Sequence, residues 1–198
     1  MAASVHPAQP PGAQGLSRSD ARRNRQRLLD AAALAFNAEG AGASLDDIAR
    51  AAGVGNATLY RHFPTRQVLI TAVYDDRFRG LCAAAEEFRT TRPALEALTT
   101  WLRLVIDHIT GNCGLRDAFI AAHRIDADEQ TPELVEWHHL IHATAQPLLG
   151  DAQSAGHIRP DLAADELLAL TTAVARAYNG EPPRADRLLS LILEGIQR

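Results

Sequence analysis

The chain has no lysine: its 20 strongly basic residues are all arginines. Every strong cationic contact therefore runs through a guanidinium, which suits phosphate well. Cysteine is nearly absent. Cys82 and Cys113 stand alone with no Cys-x-x-Cys spacing, which argues against a zinc ribbon, a dithiol redox motif and a disulfide framework. A reducing cytoplasm fits. No apolar run approaches the roughly 20 residues that cross a bilayer, so no membrane partner is expected. The opening MAASVHPAQPPGAQG has no apolar core of a signal peptide; residues 1–17 are expected to form a disordered arm. Also missing are a Gly-x-Ser-x-Gly elbow, a phosphate loop and a dinucleotide fingerprint. No enzyme activity, cofactor or metal is expected.

The charge is uneven. The net value is −4, yet through Arg66 there are eight arginines against five acids, and afterwards twelve against nineteen. A basic head on an acidic body suits a polyanion, although an arginine cluster is equally at home on a solvated helix face.

Apolar periodicity is helical throughout. From Ser19 to Ala38, Leu28, Leu29, Ala32, Ala35 and Phe36 form a stripe that Gly40 and Gly42 stop. Ser44 and Asp47 have capping-box spacing and start a short helix, Leu45 to Ala52. Gly53 suits a left-handed helix end. Gly55 can cap a third helix, Asn56 to Phe63, with Leu59 and Phe63 facing inward. Pro64 suits the first turn of a fourth. Two short helices joined by a glycine-containing turn are the helix-turn-helix pattern, whose second helix enters the major groove.

At these residues, SLDDIARAAGVGNATLYRHFPTRQVLITAV, the sequence resembles the TetR/AcrR family of bacterial transcriptional regulators. The resemblance covers about Arg22 to Val73; beyond it, AGHIRPDL before an apolar helix pair is similar to actinobacterial members. It departs at Gly55, where serine is usual, and at Arg66, where lysine is frequent. It implies an all-α fold. Residues 18–66 would be a three-helix DNA-binding domain, and 67–198 a ligand-binding and dimerisation domain. It also implies a homodimeric repressor, released from an inverted-repeat operator on double-stranded DNA by a small-molecule effector. Carried onto matching positions, Asn56 and Thr58 approach base edges and Ala57 a thymine methyl. Tyr60, His62, Arg66 and Ser44 hold phosphates, and Arg61 suits either role. Arg18, Arg22, Arg23 and Arg25 are placed for the minor groove or backbone.

The body reads as helices over Pro64–Arg89, Pro93–Ile109, Leu115–Arg124, Thr131–Gly156, Ala163–Tyr178 and Arg184–Gln197, with a kink expected at Pro147. The family's pocket lies between such helices, which points to Trp101, Phe119, His123, Trp137, His138 and His142. An aromatic and histidine lining suggests a flat, partly polar ligand. His138 and His142 have the spacing of a shared metal site, but His-His-Leu-Ile-His lacks the glutamate of a metalloprotease. A half-exposed helix, a pocket wall and a metal site all remain open readings of this cluster. A helical enzyme built on it leaves Gly53–Arg66 unexplained. Leu167, Val174 and Tyr178 on one late helix, with Leu189, Ile192 and Ile196 on the next, are apolar enough to expect a four-helix dimer interface.

Overall fold

The computed structural model describes residues 12–123, 131–177 and 182–196; the side chains of 12–18, 120–123 and 182–186 lie outside that description. Among the described residues the chain is all-α. The helices are α1 (Gly12–Glu39), α2 (Leu45–Ala51), α3 (Asn56–His62), α4 (Arg66–Thr91) and α5 (Ala94–Gly111). They continue as α6 (Cys113–His123), α7 (Pro132–Ser154), α8 (Ala164–Ala177) and α9 (Pro182–Ile196), and a single 3-10 turn, Gly40–Gly42, follows α1.

Local chemistry accounts for most helix ends. The Thr65 hydroxyl accepts from Val68 N–H at 3.2 Å and caps α4. Pro64 therefore precedes the cap and does not sit in the first turn, because the capping oxygen comes from the threonine. At the end of α7, Gly156 has φ +75°. Its N–H donates to Gln153 and that of His157 to Ala152, closing a Schellman motif. α7 continues through Pro147. α1 starts at Gly12, so residues 12–17, expected in a disordered arm, are helical. Extending an anchored helix costs far less than nucleating one. Residues 1–11, the acidic run Asp126–Glu129, Tyr178 and Gln197 lie outside the described residues.

Packing forms two cores. One joins α1, α2 and α3 to the start of α4 and is closed by Leu115, Ala118 and Phe119 of α6 and Trp137 of α7. The other lies among α4, α5, α7, α8 and α9 around the fully buried Trp101. α4 belongs to both: Leu69, Ile70, Val73 and Tyr74 enter the first, Leu81 and Ala85 the second, and Phe78 packs against each.

The second core takes up most of the residues expected at the dimer interface. Leu167, Val174, Leu189 and Ile196 are buried within their own protomer and Ile192 is half-buried. The apolar arcs of α8 and α9 are spent on covering α5 and α7. Among the described residues, the large apolar side chains left outside on this pair are Leu170 and Leu191, 38% and 51% exposed.

Candidate nucleic-acid interface and ligand cavity

The α2–α3 unit is built by short-range bonds. The Ser44 hydroxyl accepts from Asp47 N–H at 3.3 Å, and Asp46 and Asp47 stand at the favourable N-terminal end of the helix dipole. At the other end Gly53, at φ +66°, donates to Arg50 O, and Val54 donates to Ala49 O. This is again a Schellman motif, and Val54 packs into the first core. Gly55 then caps α3 with extended backbone and no side-chain acceptor.

Within α3 only Leu59 is buried; Phe63, just past its end, is buried beside it. Burial of Leu59 is worth about 2 kcal/mol, enough to hold so short a helix against the domain. Asn56, Ala57, Tyr60 and Arg61 are exposed, and Thr58 and His62 half-buried. One polar face is thus offered outward. The Asn56 amide donates to the Asp46 carboxylate at 2.7 Å and ties α3 to α2.

Arg66, expected on phosphate, is engaged within the protein. Its guanidinium turns inward and donates to the carbonyls of Ala41 and Ala43, at 2.9 and 2.5 Å. The 3-10 turn leaves those carbonyls without helical partners, and a guanidinium satisfies both. Of the α1 arginines, Arg25 lies over the Phe63 ring at 5.5 Å and Arg23 approaches Asp20 at 3.9 Å. Arg22 is exposed. The side chain of Arg18 lies outside the described residues.

A cavity of about 690 Å³ opens between α4, α5, α6, α7 and α8. Leu81, Val105, Ile109, Ile141 and Leu168 give it apolar walls, and Tyr74 and Phe78 of α4 line it. Polar groups come from the α5–α6 corner (His108, Asn112, Arg116), from α7 (His138, His142) and from α8 (Asp165, Thr172, Arg176).

Two of the six expected pocket residues, His138 and His142, reach this cavity. Trp101 does not, because its indole N–H donates to Leu81 O at 2.9 Å inside the second core. Phe119 and Trp137 are buried behind the wall. Trp137 stacks on Tyr74 and Phe78 at 4.7 and 5.4 Å, and Phe119 meets Tyr74 at 5.2 Å. The side chain of His123 lies outside the described residues. Sequence reasoning missed Tyr74, Phe78 and His108. The i, i+4 spacing of Tyr74 and Phe78 was the available signal, but it marks a wall only once α4 is known to pack on α5, α6 and α7. Among the described residues, no three histidine, cysteine or carboxylate side chains gather as a metal site.

His108 is held neutral: burial, reinforced by Arg77, pushes its pKa down to about 4. Burial raises that of Tyr74, so the phenol stays protonated. Asn112 connects the cavity to the DNA-binding end. Its amide nitrogen donates to His108 O at 2.8 Å and lies 3.4 Å from His108 Nδ1. Its amide oxygen accepts from Asn37 at 3.1 Å. Asn37, near the end of α1, also accepts from Leu115 N–H at 2.9 Å, capping α6. Beside it, Gly114 lies so close that a Cβ there would stand 2.4 Å from Asn37 O.

A helix-turn-helix anchored by buried Leu59 and Phe63 and joined to a helical body that holds a cavity defines the class of helix-turn-helix transcriptional regulators. Residues 28–73 match the bacterial regulatory proteins of the tetR family, and residues 93–198 match the C-terminal domain of SbtR-like transcriptional regulators. A TetR transcriptional regulator from Streptomyces coelicolor is 35% identical, over 87% of this chain and 98% of its own, with a TM-score of 0.77. A TetR transcription regulatory protein from Mycobacterium vanbaalenii is 34% identical over 91% and 99%, with a TM-score of 0.76. An HTH-type transcriptional regulator of Mycobacterium tuberculosis is 36% identical over 88 residues, 41% of this chain and 44% of that protein. The chain thus matches less than half the length of that curated relative. The chain belongs to the TetR family of bacterial transcriptional regulators.

Proposed function

We propose that this regulator is a cytoplasmic repressor that binds an inverted-repeat operator as a homodimer and leaves it when a small molecule fills the cavity. The observation that carries this reading is the double membership of α4. Tyr74 and Phe78 line the cavity, while Leu69, Ile70 and Val73, within two turns, hold the core under the recognition helix. A ligand that repositions the cavity wall acts on that core through one rigid helix. Control requires that the ligand favour the DNA-incompetent arrangement, and couplings of about 1–3 kcal/mol are usual for such a link.

In this reading residues 18–66 engage DNA and 67–198 sense the ligand and pair the protomers. Asn56, Ala57 and Thr58 read base edges, Asn56 exchanging its Asp46 partner for a base. Tyr60, Arg61, His62 and the Ser44 hydroxyl lie on phosphates, joined by Arg22. Arg66 supports the turn. The second protomer covers Leu170 and Leu191. Selection of binding sites from a random duplex library tests the proposal. The expected product is an inverted repeat whose half-sites lie about one helical turn, roughly 34–36 Å, apart. Enrichment of an asymmetric single site, or of none, overturns it.

A further inference from the structure

We propose that the ligand of this cavity is an amphipathic organic acid, its carboxylate at the α5–α6 corner against Tyr74 and Arg116, and its apolar body along Phe78, Leu81, Val105 and Ile109. The inference rests on reading the cavity as the effector site and adds the chemical class.

Apolar walls and a volume near 690 Å³ suit an organic molecule of moderate size. Extended polyols such as sugars would leave most of their hydroxyls unsatisfied against those walls. Position along the cavity is set by its polar groups, and at one corner these are donors. Tyr74 lines the cavity, and its hydroxyl, which makes no protein hydrogen bond among the described residues, is not sealed off from that space, since no buried side-chain polar atom there lacks a partner. It is free to donate to an acceptor that enters the cavity. Arg116 also lines the corner, with no carboxylate paired to it among the described residues. It stands near enough to Tyr74 to bias that phenol toward ionisation, against the larger effect of burial. His108 contributes in the same sense. Its Nδ1 lies 3.4 Å from the Asn112 amide nitrogen, and in the neutral tautomer that accepts there the ring proton is on Nε2, which is then a donor.

The corner's one amide acceptor is already used, since the Asn112 oxygen takes the Asn37 amide. The corner also lies at the start of α6, an eleven-residue helix, where the positive end of the dipole adds to the field. Among the described residues the lining contains one carboxylate, Asp165, and it belongs to α8, which also supplies Arg176. An ammonium ligand would meet guanidinium and donor groups at the corner. A carboxylate would meet the Tyr74 hydroxyl, Arg116 and the His108 Nε2–H. Its landing place adjoins Asn112 and the α6 cap, which Asn37 of α1 holds. The charged end of the ligand therefore acts where the sensing domain touches the DNA-binding one.

Matched series of straight-chain and phenylalkyl compounds, each as acid, primary amide and primary amine, test the class on the intact protein. Binding is followed by calorimetry and by tryptophan fluorescence, in a Trp101→Phe background so that the signal comes from Trp137, which stacks on Phe78. At least one acid should bind with a Kd below about 100 µM, and its amide and amine at least tenfold more weakly. Arg116→Gln should weaken the acid about tenfold and leave the amide unchanged, because one charge-assisted contact is lost. Tyr74→Phe should weaken the acid several-fold without unfolding the protein. The class is overturned if an amide or amine binds as tightly as its acid, if Arg116→Gln weakens acid and amide alike, or if no acid binds at about 1 mM. An amine that binds and releases operator DNA would overturn the class while upholding ligand control. An acid that binds without altering operator affinity would uphold the class and overturn ligand control.

Discussion

Replacing Gly114 by alanine tests the contact between α6 and the α1 helix of the DNA-binding part of the chain. A Cβ at this position would lie 2.4 Å from Asn37 O and 2.9 Å from its carbonyl carbon and Cα. Ordinary contact requires about 1 Å more than the shortest of these distances. The atoms in the way are α1 backbone, which cannot swing aside like a side-chain end. α6 must therefore lift away from α1. That movement stretches the 2.9 Å bond from Leu115 N–H to Asn37 and the 3.1 Å bond from Asn37 to Asn112. Overpacking costs about 1–3 kcal/mol and a lost cap about 1 kcal/mol, while exchanging glycine for alanine in a helix returns up to about 1 kcal/mol. The expected net loss is about 2 kcal/mol. Gly80 supplies the control: it is exposed in α4, and nothing lies within 4 Å of its would-be Cβ. Gly80→Ala should stabilise by about 0.5–1 kcal/mol. Urea denaturation at one fixed protein concentration measures both, since the stability of an oligomer depends on concentration. Two shifts of the same sign, or a Gly114→Ala protein as stable as wild type, would refute the reasoning.

Three further outcomes are expected. His108 has a folded pKa of about 4 against 6.5 in the unfolded chain. Between these values the unfolded state binds more protons, so stability is complete above pH 6.5 and falls as pH drops toward 4. The loss from this residue is about 2 kcal/mol between pH 7 and pH 5. His108→Gln should remove that part of the slope, and parallel denaturation profiles for variant and wild type would contradict the assignment. Leu170→Asp and Leu191→Asp should yield folded monomers in sedimentation with unchanged helical circular dichroism, whereas Leu189→Asp, placing a carboxylate in the second core, should unfold the protein; a folded monomer from the last would reverse the inside–outside assignment. In operator titrations at several salt concentrations, Asn56→Ala should cost about 1–3 kcal/mol on the preferred site only. Arg61→Ala should weaken all duplexes and lower the salt slope by about one. Arg66→Ala should lower thermal stability yet leave that slope unchanged; a slope reduced by one would return Arg66 to the phosphates.

The recognition unit was legible because its determinants are local. Ser44, Gly53 and Gly55 punctuate it, and Ile48, Leu59 and Phe63 lie within two turns of the groups they organise. The cavity was far less legible. Trp101 and Trp137 have the composition of a pocket wall, but a long-range bond to Leu81 draws one inward and two α4 rings screen the other. Arg66 shows the same limit: its fate depends on carbonyls 23 and 25 residues earlier, exposed by a 3-10 turn. On α8 and α9 the apolar arcs are broad enough to suit either neighbour. Only the packing of both helices onto α5, and of α8 onto α7, decides which leucines remain outside.

The construction of α3 has a consequence for how such a protein diversifies. The helix has seven residues, and one of them, Leu59, is buried. Its entry angle is fixed by the Gly53–Val54 turn and its exit by Phe63, neither within the helix itself. Asn56 is tied to Asp46 and Thr58 and His62 are half-buried, but Ala57, Tyr60 and Arg61 are exposed and carry little folding burden, so substitutions at these three spend little of a marginal stability. Drift along this face can change what the helix recognises while the scaffold stays intact. After gene duplication, two copies could acquire separate operators through a handful of neutral steps, without first passing through an unfolded intermediate sequence.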